Sequence, residues 1–510
     1  MIDRNKGIAR SGSIIALLII AAVAILFLLP TPKPGPTAIA ATVTKTSADK
    51  DCLILPAYFS TPAVAAVMPP ASLWKGWSYD RSITLSATPV SALMDQPADI
   101  RVNGLKPGAP ITLRASMQDY KSRTWISQAT FVADKDGVVD VSQKAPRYGS
   151  YSGVHAMGLI WSMLPQGVPN PHEILFAPAG DAETIQLQAL SNGQMIATTT
   201  LNRYGQAPGV KAATVSADGL VGELYTPTTP GPHPAVLVLG GSEGGLHPQV
   251  EEAALLASHG YAALGLAYFQ GFGGNNPALA SLPKQLVNIP LEYFAKAADF
   301  LKRQPGIEAD HMAILGWSKG AEAALLVAAT YPNDFHAAIG YMPSSVVWSG
   351  IQYGPGPAAS SWTLGSKPLA WANLVVNPAM FTSGKPLTFL GTYQAGLLNK
   401  DSVEKAAIPV ERIAGPVLLV SAGNDQIWPS PLMSRQIMQR LASHHHAYAD
   451  ESLCYAGAGH AILPPYRPTN ASIVAFPGGS FAFGGNPSAY AFADRDAWNK
   501  VLAFLHKSLH

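Results

Sequence analysis

Ser318, Asp425 and His460 stand in the order nucleophile, carboxylate, base, and each follows an apolar run that reads as a strand. A serine hydroxyl is a weak nucleophile near neutral pH. It needs a base to take its proton and a carboxylate to orient that base. Ser318 lies in Gly316-Trp317-Ser318-Lys319-Gly320, between apolar Met312-Ala313-Ile314-Leu315 and helix-prone Ala321-Glu322-Ala323-Ala324-Leu325-Leu326. Strand, sharp turn and helix in that order predict a strained elbow that turns the hydroxyl outward, its two glycines admitting neighbouring chain closely. Taken alone, the pentapeptide also fits a glycine-rich turn with a capping serine. Asp425 ends the turn after Val417-Leu418-Leu419-Val420, and His460 closes Gly457-Ala458-Gly459-His460 just after Leu453-Cys454-Tyr455. In a parallel sheet the carboxyl ends of the strands share one edge, so the three side chains are expected to meet there.

Acyl transfer through such a serine also needs donors for the oxyanion. The backbone N–H of Lys319 is one candidate. Ser242 or Glu243, in the loop Gly240-Gly241-Ser242-Glu243-Gly244-Gly245, is the other. That loop lacks the lysine of a phosphate-binding loop and the full dinucleotide fingerprint, so no cofactor is expected. No residues have metal-ligand spacing; His444, His445 and His446 are consecutive, so their side chains diverge, which fits a solvated helix end. Lys319 and Glu322 also read as charges balancing the helix, Glu322 suiting the positive end of its dipole.

Apolar runs at 235–239, 262–268, 312–315, 337–341 and 416–420 alternate with helical stretches at 251–259, 291–302, 321–329 and 432–441, and a helix at 498–505 closes the chain. Continuous apolar strands separated by helices predict a mostly parallel sheet covered on both faces, an α/β fold of the α/β-hydrolase kind over 205–510. A hairpin around Asp218-Gly219 opens it. The stretch 343–409, rich in Pro, Gly, Ser and Trp, breaks the rhythm and reads as a lid-like insert. Before it, short alternating strands separated by turns such as Asn103-Gly104 and Asp136-Gly137 predict an Ig-like β-sandwich over 69–204. The apolar segments around 148–151 and 157–163 do not fit surface strands and are expected to pack against the second domain.

At 510 residues the chain can hold two domains and a large core. Its net charge is +2 and it has no cluster of basic residues in the folded part, which argues against nucleic acid as a partner. Only 13% of residues are charged, against about 25% in an average soluble protein. Part of that apolar bias is a leader. Arg4, Lys6 and Arg10 precede an uncharged run over 14–30, and the proline-rich segment 31–36 ends it. Residues 1–36 therefore read as a signal peptide or a membrane anchor, and 37–68 as a linker. The basic flank places everything after it outside the cytoplasm, periplasmic or secreted, or tethered to the membrane if the leader stays uncleaved. Small residues at Ala38, Ala40 and Ala41 favour cleavage slightly. Cys52 and Cys454 are the only cysteines. Outside the cytoplasm they can pair, and a free buried Cys454 is an equal alternative.

With these residues in view, the chain resembles the acyl-CoA thioesterase and bile acid-CoA:amino acid N-acyltransferase family. The likeness rests in the first domain on Asn103-Gly104-Leu105-Lys106-Pro107, on the run from Trp125 to Asp134, and on Gly149-Ser150-Tyr151 followed by 157–163. In the second it rests on Gly241-Ser242-Glu243-Gly244-Gly245-Leu246, Pro290-Leu291-Glu292-Tyr293-Phe294, Gly316-Trp317-Ser318-Lys319-Gly320-Ala321-Glu322 and Gly457-Ala458-Gly459-His460-Ala461-Ile462. The resemblance implies a sandwich before an α/β-hydrolase domain, a triad at Ser318, Asp425 and His460, and an acyl ester or thioester substrate. Members that transfer acyl groups to amino acids carry cysteine at the nucleophile; serine here implies water as the acceptor. Acyl-CoA is a cytoplasmic metabolite whereas the leader directs export, so oxygen esters are the alternative substrate, with acyl transfer to an amine and a non-catalytic binding role behind them.

Overall fold

The computed structural model describes residues 52, 68–79, 82–271, 276–352, 357–470, 472–476 and 479–510. The expected leader, and the linker apart from Cys52 and Met68, lie outside the described residues. Among the described residues no helix is long and apolar enough to cross a membrane.

Two sheets face each other in the first domain. Thr84–Thr88, Asp99–Asn103 and Val139–Asp140 form a small antiparallel sheet. A larger one runs through Ser91–Leu93, Gln194–Tyr204, Ala182–Ser191, Pro110–Gln118, Thr124–Val132 and Tyr148–Gly149. Burial alternates along Thr84–Thr88 and Asp99–Asn103, as the polar and apolar alternation of their sequence requires. Ile100 and Val102 of the small sheet share one core with Trp125, Phe131 and Leu187 of the large one. The segment around Gly158–Trp161 belongs mainly to this core, not to the interface. It still meets the second domain, at Ala491 and where the Thr469 N–H donates to the Trp161 carbonyl at 3.0 Å.

Polar contacts join the two domains elsewhere. Asp95 accepts from Trp498 Nε1 at 2.8 Å and pairs with His259 at 2.5 Å. Arg467 bonds Glu251 at 2.7 Å and approaches Glu183 to 3.6 Å.

The second domain is built on one eight-stranded sheet: β1 Lys211–Val215, β2 Val221–Thr226, β3 His233–Leu239, β4 Ala262–Ala267, β5 Ile307–Trp317, β6 Ala337–Tyr341, β7 Val417–Ala422 and β8 Glu451–Tyr455. Their spatial order is β1-β2-β4-β3-β5-β6-β7-β8. β2 runs antiparallel to its neighbours and all other pairings beyond it are parallel. Side chains alternate between the faces, so Ala235, Leu237 and Leu239 enter one core while Val236 and Val238 enter the other. Helices α2 Glu292–Lys302, α3 Lys319–Thr330 and α4 Ser430–Ser443 cover the first face, and α1 His247–Ser258 and α5 Pro487–Leu509 the second. This is the α/β-hydrolase arrangement, and it explains why β4, β6 and β7 are buried at every position.

The expected insert is built into the body of the domain at 343–348 and 360–363, while 364–405 are mostly exposed or half-buried. Trp362–Leu364 pairs in parallel with Ile289–Pro290, and Trp348 and Trp362 are fully buried. Cys52 is disulfide-bonded to Cys454 across 402 residues, which fastens it to the edge strand β8.

Candidate active site

The elbow is strained as its sequence requires. Ser318 has φ 52° and ψ −116°, a conformation that costs a residue with a side chain about 1–3 kcal/mol and that neighbouring structure must enforce. Enforcement comes from close packing. A Cβ on Gly316 would fall 2.2 Å from the Gly320 carbonyl oxygen, and one on Gly320 would fall 2.2 Å from that of Gly240. Only glycine at both positions lets β5, α3 and the loop after β3 approach this closely. The Ser318 N–H donates to the Tyr341 carbonyl at 2.9 Å and ties the turn to β6.

Ser318, His460 and Asp425 come together at the carboxyl ends of β5, β8 and β7. His460 Nε2 lies 2.9 Å from Ser318 Oγ, and Nδ1 lies 2.9 Å from each Asp425 oxygen. A carboxylate only accepts, so Nδ1 carries the proton toward Asp425 and Nε2 is free to accept from the hydroxyl. Asp425 is itself fixed by the N–H groups of Ile427 at 3.0 Å and Trp428 at 3.1 Å and by the Ser430 hydroxyl at 2.7 Å. The Trp428 ring packs edge-on against the imidazole, at 5.7 Å between centroids. The His460 side chain keeps 9% of its surface exposed and Asp425 1%, so the proton relay is nearly dry.

The loop after β3 lies against the elbow: a Cβ on Gly241 would sit 3.2 Å from the Trp317 carbonyl and 3.4 Å from Ser318 Cβ. Within it the Gly241 N–H donates to Glu243 Oε1 at 2.6 Å, and the Glu243 N–H is turned onto its own carboxylate. Glu243 is thus an acceptor that shapes the loop. Ser242 follows Gly241 in this loop, and the N–H of Lys319 opens α3 and has no intrahelical acceptor. Burial pushes the Glu243 carboxyl above its usual range, and the neighbouring N–H groups and His460 oppose that. Tyr268, at the end of β4, donates to the Gly240 carbonyl at 2.7 Å and holds the loop from below.

Sequence reasoning missed the side chains beneath the elbow. Lys319 and Glu322, expected to balance the helix end, are a buried ion pair with Nζ 2.7 Å from Oε1. The same oxygen accepts from Trp362 Nε1 at 2.8 Å and from the Trp348 N–H at 3.2 Å. A usable signal was present: a lysine and a glutamate one helical turn apart at the head of an otherwise apolar helix must find partners if that helix is buried. Among the described residues no group of His, Cys, Asp and Glu is arranged to hold a metal ion. His446 instead bonds Asp450 at 2.7 Å and the Ile413 carbonyl at 2.8 Å.

A nucleophile and an oriented base at one sheet edge, beside the free N–H that opens a helix, are equipment for acyl transfer. Residues 95–217 match the family described as acyl-CoA thioester hydrolase/BAAT N-terminal region, and residues 289–510 match BAAT/acyl-CoA thioester hydrolase C terminal. The mitochondrial acyl-coenzyme A thioesterase 2 of Mus musculus is 31% identical over 454 residues, covering 87% of this chain and 93% of its own length. Acyl-coenzyme A amino acid N-acyltransferase 2 of Mus musculus is 32% identical over 452 residues, covering 84% and 98%. Over such lengths and at such identity, the chain belongs to the acyl-CoA thioesterase and bile acid-CoA:amino acid N-acyltransferase family.

Proposed function

We propose that this protein is a serine hydrolase that cleaves acyl thioesters of the acyl-CoA type through an acyl-enzyme. Ser318 Oγ attacks the thioester carbonyl while His460 Nε2 takes its proton, and Asp425 steadies the imidazolium that forms. The Ser242 and Lys319 N–H groups receive the oxyanion. Its collapse breaks the carbon–sulfur bond, and His460 returns the proton to the departing thiolate. Water then attacks the acyl-serine with His460 again as base, releasing the carboxylic acid and restoring Ser318. The observation that carries this reading is the hydrogen-bonded chain from Ser318 through His460 to Asp425. Relatives named as thioesterases supply the substrate class.

Other relatives are named as amino acid N-acyltransferases. Serine as nucleophile favours water over an amine here, because an oxygen ester is a poorer acyl donor to amines than a thioester. The test is thiol release from an acyl-CoA by the purified protein, with glycine and taurine added in parallel and Ser318→Ala as control. Free acid, labelling of Ser318 by a fluorophosphonate, and a loss of at least about a thousandfold in Ser318→Ala are expected. Full turnover by Ser318→Ala would remove the reading, and amide as the main product would replace hydrolysis with transfer.

We also infer that the folded part works outside the cytoplasm, periplasmic, secreted or held at the membrane by its N-terminal segment. The Cys52–Cys454 disulfide supports this, since such bonds persist in oxidising compartments. In that location an oxygen ester is the second substrate reading, and matched acyl-CoA and simple ester substrates separate the two. Peptide mapping of native protein without reductant should recover the crosslinked pair; free thiols on a cytoplasmic protein would overturn the placement.

A further inference from the structure

Lys319 is both the residue whose N–H faces the expected oxyanion and the owner of a fully buried ammonium. Its Nζ bonds Glu322 Oε1 and Ser361 Oγ, each at 2.7 Å, and lies 5.6 Å from the centre of the Trp362 ring. Ser361 passes the contact on by donating to the Trp348 carbonyl at 3.0 Å. Glu322 takes the Trp348 N–H and the Trp362 indole on the same oxygen that meets Lys319, while its Oε2 is buried with no hydrogen-bond partner among the described residues. Every partner other than Lys319 and Glu322 themselves lies in the insert. Hydrogen bonds linking Trp348, Ser361 and Trp362 to this one ion pair therefore tie the insert to the first turn of α3.

Stability alone does not account for that pair. Removing two charges from water costs several kcal/mol each, and well-packed apolar residues in place of a buried pair are often as stable or more so. An acceptor left unsatisfied on Glu322 adds to the cost. The location supplies a different reason. A carboxylate in the first turn of α3, uncompensated, would oppose negative charge developing at the Lys319 N–H; the ammonium beside it cancels that field. The same insert also reaches the base. Trp348 packs edge-on against Tyr393 at 4.8 Å, Tyr393 against Trp428 at 5.5 Å, and Trp428 against His460.

We infer that the Lys319–Glu322 pair is a positioning latch that fixes the insert segment carrying Trp348, Ser361 and Trp362 on the nucleophile helix, and so aims the Lys319 N–H at the oxyanion. The inference rests on the serine-hydrolase reading and adds that the insert, through this latch, sets the turnover rate.

The test compares wild type with Glu322→Gln, Lys319→Met, the double variant and Ser361→Ala, reading Tm, kcat, KM and the pH profile of kcat/KM on one acyl-CoA. Each single charge variant leaves a buried charge alone and should lower Tm. The double variant should recover Tm but keep kcat lowered about 10–100-fold, the scale of a misplaced transition-state contact. KM should stay within about threefold, because the oxyanion contact acts in the transition state and not in substrate binding. The pH profile should not move, since the base is untouched. Ser361→Ala, which removes one hydrogen bond and no charge, should lose several-fold in kcat and keep its fold. Wild-type kcat in the double variant or in Ser361→Ala would reduce the latch to a structural pair, and a displaced pH profile would shift the effect to His460; either overturns the inference. Ser318→Ala, run alongside, reports on the hydrolase reading separately.

Discussion

Asp425→Asn exchanges one oxygen for an NH2 group and leaves the shape of the side chain alone, so its effect isolates a proton's position. Oδ1 receives the Ile427 and Trp428 N–H groups, and an asparagine oxygen keeps both. The amide nitrogen then takes the place of Oδ2, where the Ser430 hydroxyl can reverse and accept from it. His460 cannot adapt so freely. Nδ1 lies 2.9 Å from both positions, but Oδ1 already accepts two N–H groups, so the new amide donor favours the imidazole with its proton on Nε2, the nitrogen 2.9 Å from Ser318 Oγ, which does not accept the serine proton. Loss of the working tautomer in a serine triad costs about 10⁴-fold in kcat, or about 5.4 kcal/mol of transition-state stabilisation. Because every polar group retains a partner, stability should change by no more than about 1 kcal/mol. Thiol release from a saturating acyl-CoA, with thermal unfolding on the same preparation, measures both. A variant within tenfold of wild-type kcat and with unchanged Tm would refute the assignment of Asp425 as the orienting carboxylate.

Gly320→Ala should cost about 100-fold or more in kcat, because its Cβ would meet the Gly240 and Leu239 carbonyl oxygens at 2.2 Å and 2.6 Å and drive the elbow away from the loop that bears Ser242; wild-type turnover would show that this approach does not matter. His155 is pushed down to about 4, first by burial and then by the charge of Arg495, so it is held neutral between Tyr151 and Trp161. Its folded value lies below the unfolded one of about 6.5, so its contribution is complete above pH 6.5 and is lost as pH falls toward 4, by no more than about 3 kcal/mol. Tm curves of wild type and His155→Phe should therefore converge or cross across that window, and parallel curves would sink the argument.

The triad and the sheet were legible because both are written locally. An apolar run followed by Gly-x-Ser-x-Gly can only be an elbow if a helix follows at once, and Ala321 to Leu326 supply one. Asp425 and His460 were placed by the rule that parallel strands end on one edge, which needs no knowledge of distance. What was hidden depends on distance. The Cys52–Cys454 pairing was one of two open readings, because two lone cysteines can pair but the sequence gives no distance across 402 residues. The insert, lacking any period, resembles a lid in sequence because its burial comes from single aromatic side chains and not from a repeating face. Its contacts with α3 span 26 to 42 residues, and a lysine three positions before a glutamate otherwise reads as an exposed pair on one helix face. Ser242 and Glu243 were both offered as oxyanion donors because they share the right loop; the Glu243 carboxylate accepts from the Gly241 N–H two residues back, a contact within the loop that the sequence does not announce.

Three carboxyl groups surround a reaction that develops negative charge, and the sequence displays all three without saying how their fields are managed. Each is handled differently. Asp425 is held by three donors and faces an imidazole that becomes cationic when Ser318 attacks, so its charge works for the transition state. Glu322 is cancelled by the ammonium of the very residue whose backbone N–H is to receive the oxyanion. Glu243 has no cation at hydrogen-bond distance among the described residues; burial favours its neutral form, and the N–H groups it accepts from set the curve of the loop. An apolar residue at 322 would have avoided a buried charge but left Lys319 unpaired, and an apolar residue at 319 would have left Glu322 opposing the reaction. The charges on the first turn of α3 are therefore tolerable only as a pair, and Trp348 and Trp362 of the insert, both fully buried, bond the Glu322 oxygen that the ammonium meets.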